Sequence, residues 1–186
     1  MVYKIIRILA LWCCDGNETE DEIEVICFGL DLIWDNVLRL LIIILIGMLI
    51  GQGEKTVVSL LCFCSLRSQA GGVHMKSGIG CFLMMELVIQ MSIIGANLIN
   101  SVPDWWIVVE CIIGIAILWM YAPNGSQYVE LMTEGRKKKK KRYAFVLWLL
   151  WCLVAVTTKY KKIVFMANFF TVLTLIEKRD AKYSEK

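Results

Sequence analysis

From Leu40 to Ile50 the chain carries no charged and no hydrogen-bonding side chain. Comparable apolar stretches, each broken only by isolated polar residues, return at Thr56–Leu66, Ile79–Ile99, Trp105–Tyr121, Tyr143–Thr158 and Ile163–Ile176. They read as membrane helices. In hydrocarbon, backbone groups have no water to bond, and helices satisfy them within one segment. A hydrophobic content of 58 % and a mean hydropathy of +0.63 exceed what a soluble domain carries. The expected fold class is all-α: one polytopic integral membrane helical bundle with about six membrane segments and N-terminal interfacial amphipathic helices.

The N-terminal region, residues 1–36, reads as surface-lying. Val2–Trp12 is too short to span, with Lys4 and Arg7 on an aliphatic body, and no small-residue cleavage site follows it. A second helix starts near Thr19, where Thr19 and Glu22 fit a capping box and Glu20, Asp21 and Glu22 suit the positive end of the helix dipole. Glu24, Asp31, Asp35 and Arg39 then share one helical face.

Between two apolar blocks lies a polar stretch, Arg67 to Cys81, with glycines at 71, 72, 78 and 80 and the chain's single histidine, His74. The preceding segment, Thr56–Leu66, is too short by itself to cross a hydrocarbon core of about 30 Å. The polar stretch is therefore expected to dip into a recess covered by protein. Its chemistry is that of acyl transfer. A thiolate is the nucleophilic form of cysteine, and a nearby imidazole takes its proton. Cys81 stands at the start of the next helix, where the dipole favours the ionised thiol. Gly71 and Gly72 permit φ > 0 and close approach of a peptide, and their N–H groups form a candidate oxyanion nest. Arg67 supplies a fixed charge for carbonyls or a carboxylate, and Gln69 is a possible orienting group for His74.

The spacing Arg67, Gly71-Gly72, His74, Cys81 resembles the signature of the accessory gene regulator B family. These are polytopic bacterial membrane cysteine peptidases that process propeptides of cyclic autoinducers in quorum sensing. Short length and flanking apolar segments agree, as does the Tyr121-Ala122-Pro123 turn before a basic region; a Lys-Pro pair frequent in the family after that turn is absent here. The resemblance implies His74 and Cys81 as a catalytic dyad, with Arg67, Gly71, Gly72 and Gln69 as substrate-binding or oxyanion support. It implies no cofactor and no metal, and a short amphipathic propeptide as substrate.

On this reading residues 37–121 form the catalytic-core spans, 122–142 a basic loop, 143–177 a C-terminal helical pair and 178–186 a charged tail. Arg136–Arg142 is basic throughout; without interleaved aromatics it suits anionic lipid headgroups rather than nucleic acid. With both termini cytosolic, sixteen of the twenty basic residues fall on the cytosolic side, together with the catalytic loop. Lys159, Lys161 and Lys162 are the exceptions. Glu86, Gln90 and Asn97 make a polar stripe facing away from Cys81. Glu86 is expected to pair with Arg39 or Arg67, or to be buried with Glu110 in a homodimer.

Two other readings compete. A zinc site from Cys62, Cys64, Cys81 and His74 has a spacing that matches no established pattern. A small transporter or structural membrane protein would use the Glu86–Asn97 stripe as its path. The remaining cysteines (13, 14, 27, 111, 152) lie mostly in apolar runs and read as packing.

Overall fold

A computed structural model describes residues 2–12, 14, 19–72, 77–123 and 132–176. Every regular element among them is an α-helix: α1 (Val2–Trp12), α2 (Glu20–Leu49), α3 (Gly53–Ala70), α4 (Gly78–Leu98), α5 (Asp104–Tyr121), α6 (Glu134–Thr157) and α7 (Lys161–Leu173). Three of them, α2, α4 and α5, are long and apolar enough to cross a membrane. The all-helical architecture expected of the chain is present among the described residues.

The chain divides into two compact units, residues 1–46 and 47–186. In the first, Ile6 and Ala10 of α1 pack with Cys27 of α2, flanked by Ile23, Ile26 and Leu30. Arg7 reaches Glu20 at 3.3 Å. The capping box forms as the sequence implies: the Thr19 N–H donates to the Glu22 carboxylate at 2.8 Å and the Glu22 N–H to Thr19 Oγ1 at 3.4 Å. Its 30 residues make α2 about 45 Å long, well beyond a hydrocarbon core. Arg39 pairs with Asp35 one turn back, at 2.5 Å, rather than with Glu86.

The second unit is a bundle of α3 to α7 joined to the last turn of α2. Gly47 makes that junction possible, since a Cβ there would lie 2.1 Å from Thr56 Oγ1. The Gly53–Ala70 helix has 18 residues, about 27 Å, because Glu54-Lys55 and Arg67-Ser68-Gln69 continue it at both ends. The segment expected to be too short is therefore longer than its apolar core, close to the thickness of a hydrocarbon core. Where hydrocarbon surrounds a backbone, helix hydrogen bonds are worth extending to the interface even through polar residues. The same reasoning applies to α6, which starts at Glu134 and carries the basic run in its first turns instead of in a loop.

Helix α7 has only 13 residues, about 20 Å, yet it is the axis of the bundle, touching α3, α4, α5 and α6. Enclosed by neighbours, it has no need to match the bilayer thickness. Small residues admit large ones along its length and beside it: Gly95 of α4 faces Met166, and Gly114 of α5 seats the Trp148 indole, which is wholly buried. A Cβ at Gly114 would come within 1.9 Å of that ring. Interhelical polar contacts add to this packing. The Cys62 thiol donates to Asn168 Oδ1 at 2.8 Å, Trp148 Nε1 to the Cys111 carbonyl at 3.2 Å, and Trp151 Nε1 to Ser65 Oγ at 2.8 Å.

Candidate active site

The connector between α3 and α4 is short, so the end of one and the start of the other lie at the same end of the bundle. That end gathers Arg67, Gln69, Gly71, Gly72 and Cys81. His74 falls, with Val73, Met75 and Lys76, outside the described residues.

Gly71 and Gly72 take φ of 78° and 139°, a left-handed region that an L side chain enters only with strain. The Gly71 N–H donates to the Arg67 carbonyl at 2.9 Å and closes α3. That donor is engaged in the cap. A Cβ on buried Gly72 would sit 2.8 Å from Arg67 Nη1 and 3.3 Å from the Thr174 carbonyl. Glycine here makes room for the guanidinium to fold back against the chain. The same guanidinium lies over the Phe63 ring, 5.4 Å from its centre. Arg67 is thus built into the turn, against the Phe63 ring and beside Gly72. Gln69 donates to Ser68 Oγ at 3.3 Å.

Cys81 is half-buried in the first turn of α4. Ser77 caps that helix, its Oγ accepting from the Gly80 N–H at 3.0 Å, and the Cys81 N–H donates to the Ser77 carbonyl at 3.1 Å. The cysteine's own N–H is therefore the first rung of the helix; the Gly78 and Ile79 N–H groups precede it and have no intrahelical acceptor. The thiol sits in the first turn of α4, with Gly78 and Gly80 before it. Sequence reasoning did not single out Phe63, Ser77 or Thr174. Phe63 and Arg67 are four apart on one helix face and Ser77 precedes an apolar run, so both carried a signal; Thr174 carried none.

The polar stripe on α4 resolves into local pairs. Gln90 Nε2 donates to Glu86 Oε1 at 2.7 Å, and Lys55 bonds Asn97. Glu110 is 8 % exposed within the single chain, so no second copy is required to bury it. A continuous ion path along α4 gains no support from this arrangement.

Fold and site together define a helical protein with three helices long and apolar enough to cross a membrane and a cysteine in the first turn of α4. Residues 2–176 match the family model described as accessory gene regulator B. An AgrB-like protein of Halalkalibacterium halodurans is 31 % identical over 76 % of this chain and 69 % of its own length. AgrB-like proteins of Clostridium acetobutylicum and Listeria innocua are 26 % and 24 % identical, each over 80 % of this chain and over 72 % and 74 % of their own lengths. No solved structure matches. The chain belongs to the accessory gene regulator B family.

Proposed function

We propose that this chain is a membrane cysteine endopeptidase that matures an autoinducer propeptide, with Cys81 as nucleophile and His74 as general base. The observation that carries this reading is the placement of Cys81, half-buried in the first turn of α4 just beyond a glycine connector, in a member of this family. His74 removes the thiol proton as sulfur attacks a backbone carbonyl of the docked propeptide. Collapse of the tetrahedral adduct breaks the C–N bond, and His74 returns the proton to the departing amine, which leaves with the C-terminal tail. The N-terminal part stays on Cys81 as a thioester. An internal cysteine or serine of the peptide then attacks that carbonyl, forming a cyclic thiolactone or lactone and restoring the Cys81 thiol.

Exchange between thioesters is close to balanced in free energy, so ring closure must outrun hydrolysis. A membrane-bound site favours closure twice over, by holding the internal nucleophile at high effective concentration and by limiting water. Arg67, fixed on Phe63, and the Gly72 N–H are the groups assigned to the scissile carbonyl and its oxyanion, with Gln69 beside them. The further assignments are a bacterial cell-membrane location with several crossings, a cytosolic site and termini, anionic headgroups around the basic start of α6, and a homodimeric assembly.

The test is cleavage of a synthetic propeptide by the protein reconstituted in liposomes. Wild type is expected to release the tail and form a hydroxylamine-sensitive acyl adduct on Cys81 that mass spectrometry detects. Cys81→Ala and His74→Ala are expected to lower the rate by at least about a thousand-fold while inserting normally. Undiminished cleavage by Cys81→Ala overturns the assignment.

A further inference from the structure

Two helices carry exposed rows of the same kind. On α2, Asp31, Asp35, Leu38, Ile42, Leu45 and Leu49 follow in alternate steps of four and three, and all are exposed. On α6, Lys139, Arg142, Val146, Leu149, Leu153 and Val156 do the same, away from buried Ala144, Trp148, Cys152 and Ala155. Such steps hold side chains on one line of a helix, the seam along which two helices pack with a slight left-handed twist. Each row begins with two charged residues and continues with four aliphatic ones; the charges are acidic on α2 and basic on α6.

The rows match in depth as well. Glu54, in the first turn of α3 after α2, bonds Lys159 and Tyr160, just past α6, so α2 and α6 end at one level. Asp31 stands 18 residues before Leu49, and Lys139 stands 18 before Thr157, about 27 Å in each helix. Asp35 and Arg142 stand 14 and 15 residues before those ends. From those ends, all four charges fall within a hydrocarbon core of about 30 Å, where a charge is costly and ordinarily has a partner. Asp35 holds Arg39, whereas Asp31, Lys139 and Arg142 form no ion pair among the described residues. Anionic headgroups would answer the cations and repel the carboxylates; the opposite row answers both. We infer that this face of α2 docks in parallel on the α6 face of a second copy of the chain. Asp31 and Asp35 meet Lys139 and Arg142, and the four aliphatic residues of each row pack below them. In a two-fold dimer the contact occurs twice, α2 of each copy on α6 of the other. This interface rests on the homodimeric assembly assigned above and is independent of the Cys81 chemistry.

The experiment measures Förster transfer between donor- and acceptor-labelled copies of the full chain, diluted in zwitterionic liposomes. Wild type is expected to pair. Asp31→Lys and Lys139→Glu each set like charges against one another at both contacts, and each should weaken pairing about ten-fold or more. Mixing the two variants should restore wild-type transfer, because every contact of the mixed pair again joins one acid to one base. Circular dichroism confirms that each variant is folded. A second measurement needs no charge change: photoreactive p-benzoylphenylalanine in place of Leu45 should crosslink to α6 of the other copy, read by mass spectrometry of mixed ¹⁴N- and ¹⁵N-labelled chains. If a variant fails to fold, this crosslink decides alone. A monomeric wild type overturns the interface together with the homodimer. Pairing that survives both single variants, no restoration on mixing, or a crosslink to any surface other than α6 of the second copy overturns the interface alone.

Discussion

The two ends of the α3–α7 bundle are both rich in basic residues and differ in what those residues meet. At the end formed by the starts of α3, α5 and α7, Lys159 bonds Glu54 at 2.7 Å, Lys161 bonds Asp104, Lys55 bonds Asn97, and Lys162 donates to the Ile99 carbonyl at 3.1 Å. At the other end, α6 begins with seven basic residues. Lys137 pairs with Glu134 at 2.9 Å, and Lys141 caps the Trp119 carbonyl at 2.7 Å while lying over its indole. Arg136, Lys138, Lys139, Lys140 and Arg142 form no ion pair among the described residues. The lesson concerns orientation. Lys159, Lys161 and Lys162 were the exceptions to a positive-inside count, and they are the lysines whose charge is locally answered. What remains unanswered is concentrated at the end that also holds Arg67 and Cys81.

The sharpest way to break this contrast is to remove the unanswered charge. Replacing Arg136, Lys138, Lys139, Lys140 and Arg142 together by Gln should give a mixed or inverted population, because basic residues beside a span fix its orientation. Replacing Lys159, Lys161 and Lys162 by Gln should leave a single orientation. Labelling of single cysteines introduced at each end with a membrane-impermeant maleimide reads both. Equal effects from the two sets would erase the distinction. A smaller, local effect is expected at the site end from Gly72→Ala. The added methyl meets the Arg67 guanidinium at 2.8 Å and holds φ of 139° against its preference. Strain of that kind is about 1–3 kcal/mol, so propeptide cleavage should fall roughly ten-fold or more with insertion unchanged. Gly51→Ala also strains a positive φ, 70°, yet has open space around it and lies far along the chain from the site. It should leave cleavage intact.

The helical class, the capping box at Thr19 and Glu22, and the placement of Cys81 at a helix start could be read from residue order because each is a local relation. The element ends could not. Glu54-Lys55 and Arg67-Ser68-Gln69 look like punctuation in a soluble protein, where water competes for backbone groups; beside hydrocarbon the helix continues through them. The Arg136–Arg142 run likewise looks like a loop because like charges repel along a helix. Its helicity draws on Glu134, which pairs with Lys137, and on Trp119 across the interface with α5. The central place of α7 was hidden for a different reason. Its 13 residues resemble a deficient span, and only the seating of Met166 on Gly95 and of Asn168 on Cys62 reveals a buried axis. The positive φ of Gly71 and Gly72 was legible from residue type, whereas the proximity of Thr174 to Gly72 depends on the whole bundle closing.

The weakest expected effect tests whether the answered end is held by charge at all. Lys159 and Tyr160 both bond Glu54, which holds the Glu54 carboxyl below its ordinary range, and Glu54 in turn raises Lys159. A depressed carboxylate stabilises the fold above its unfolded value, and that contribution is lost as pH falls through the folded value. A raised lysine stabilises below its unfolded value and loses the contribution as pH rises through the folded one. The pair is therefore intact across the neutral range and fails on both sides. Both groups are open to water, so salt and solvent screen them. In nanodiscs, Glu54→Gln should lower the melting temperature at pH 7 by no more than about 2 °C. The difference from wild type should narrow toward acid pH, where Glu54 itself becomes neutral, and shrink in high salt. A pH-independent difference would mean that the Glu54 side chain acts through its hydrogen bond to Tyr160, and that shape rather than charge joins the start of α3 to the α6–α7 turn.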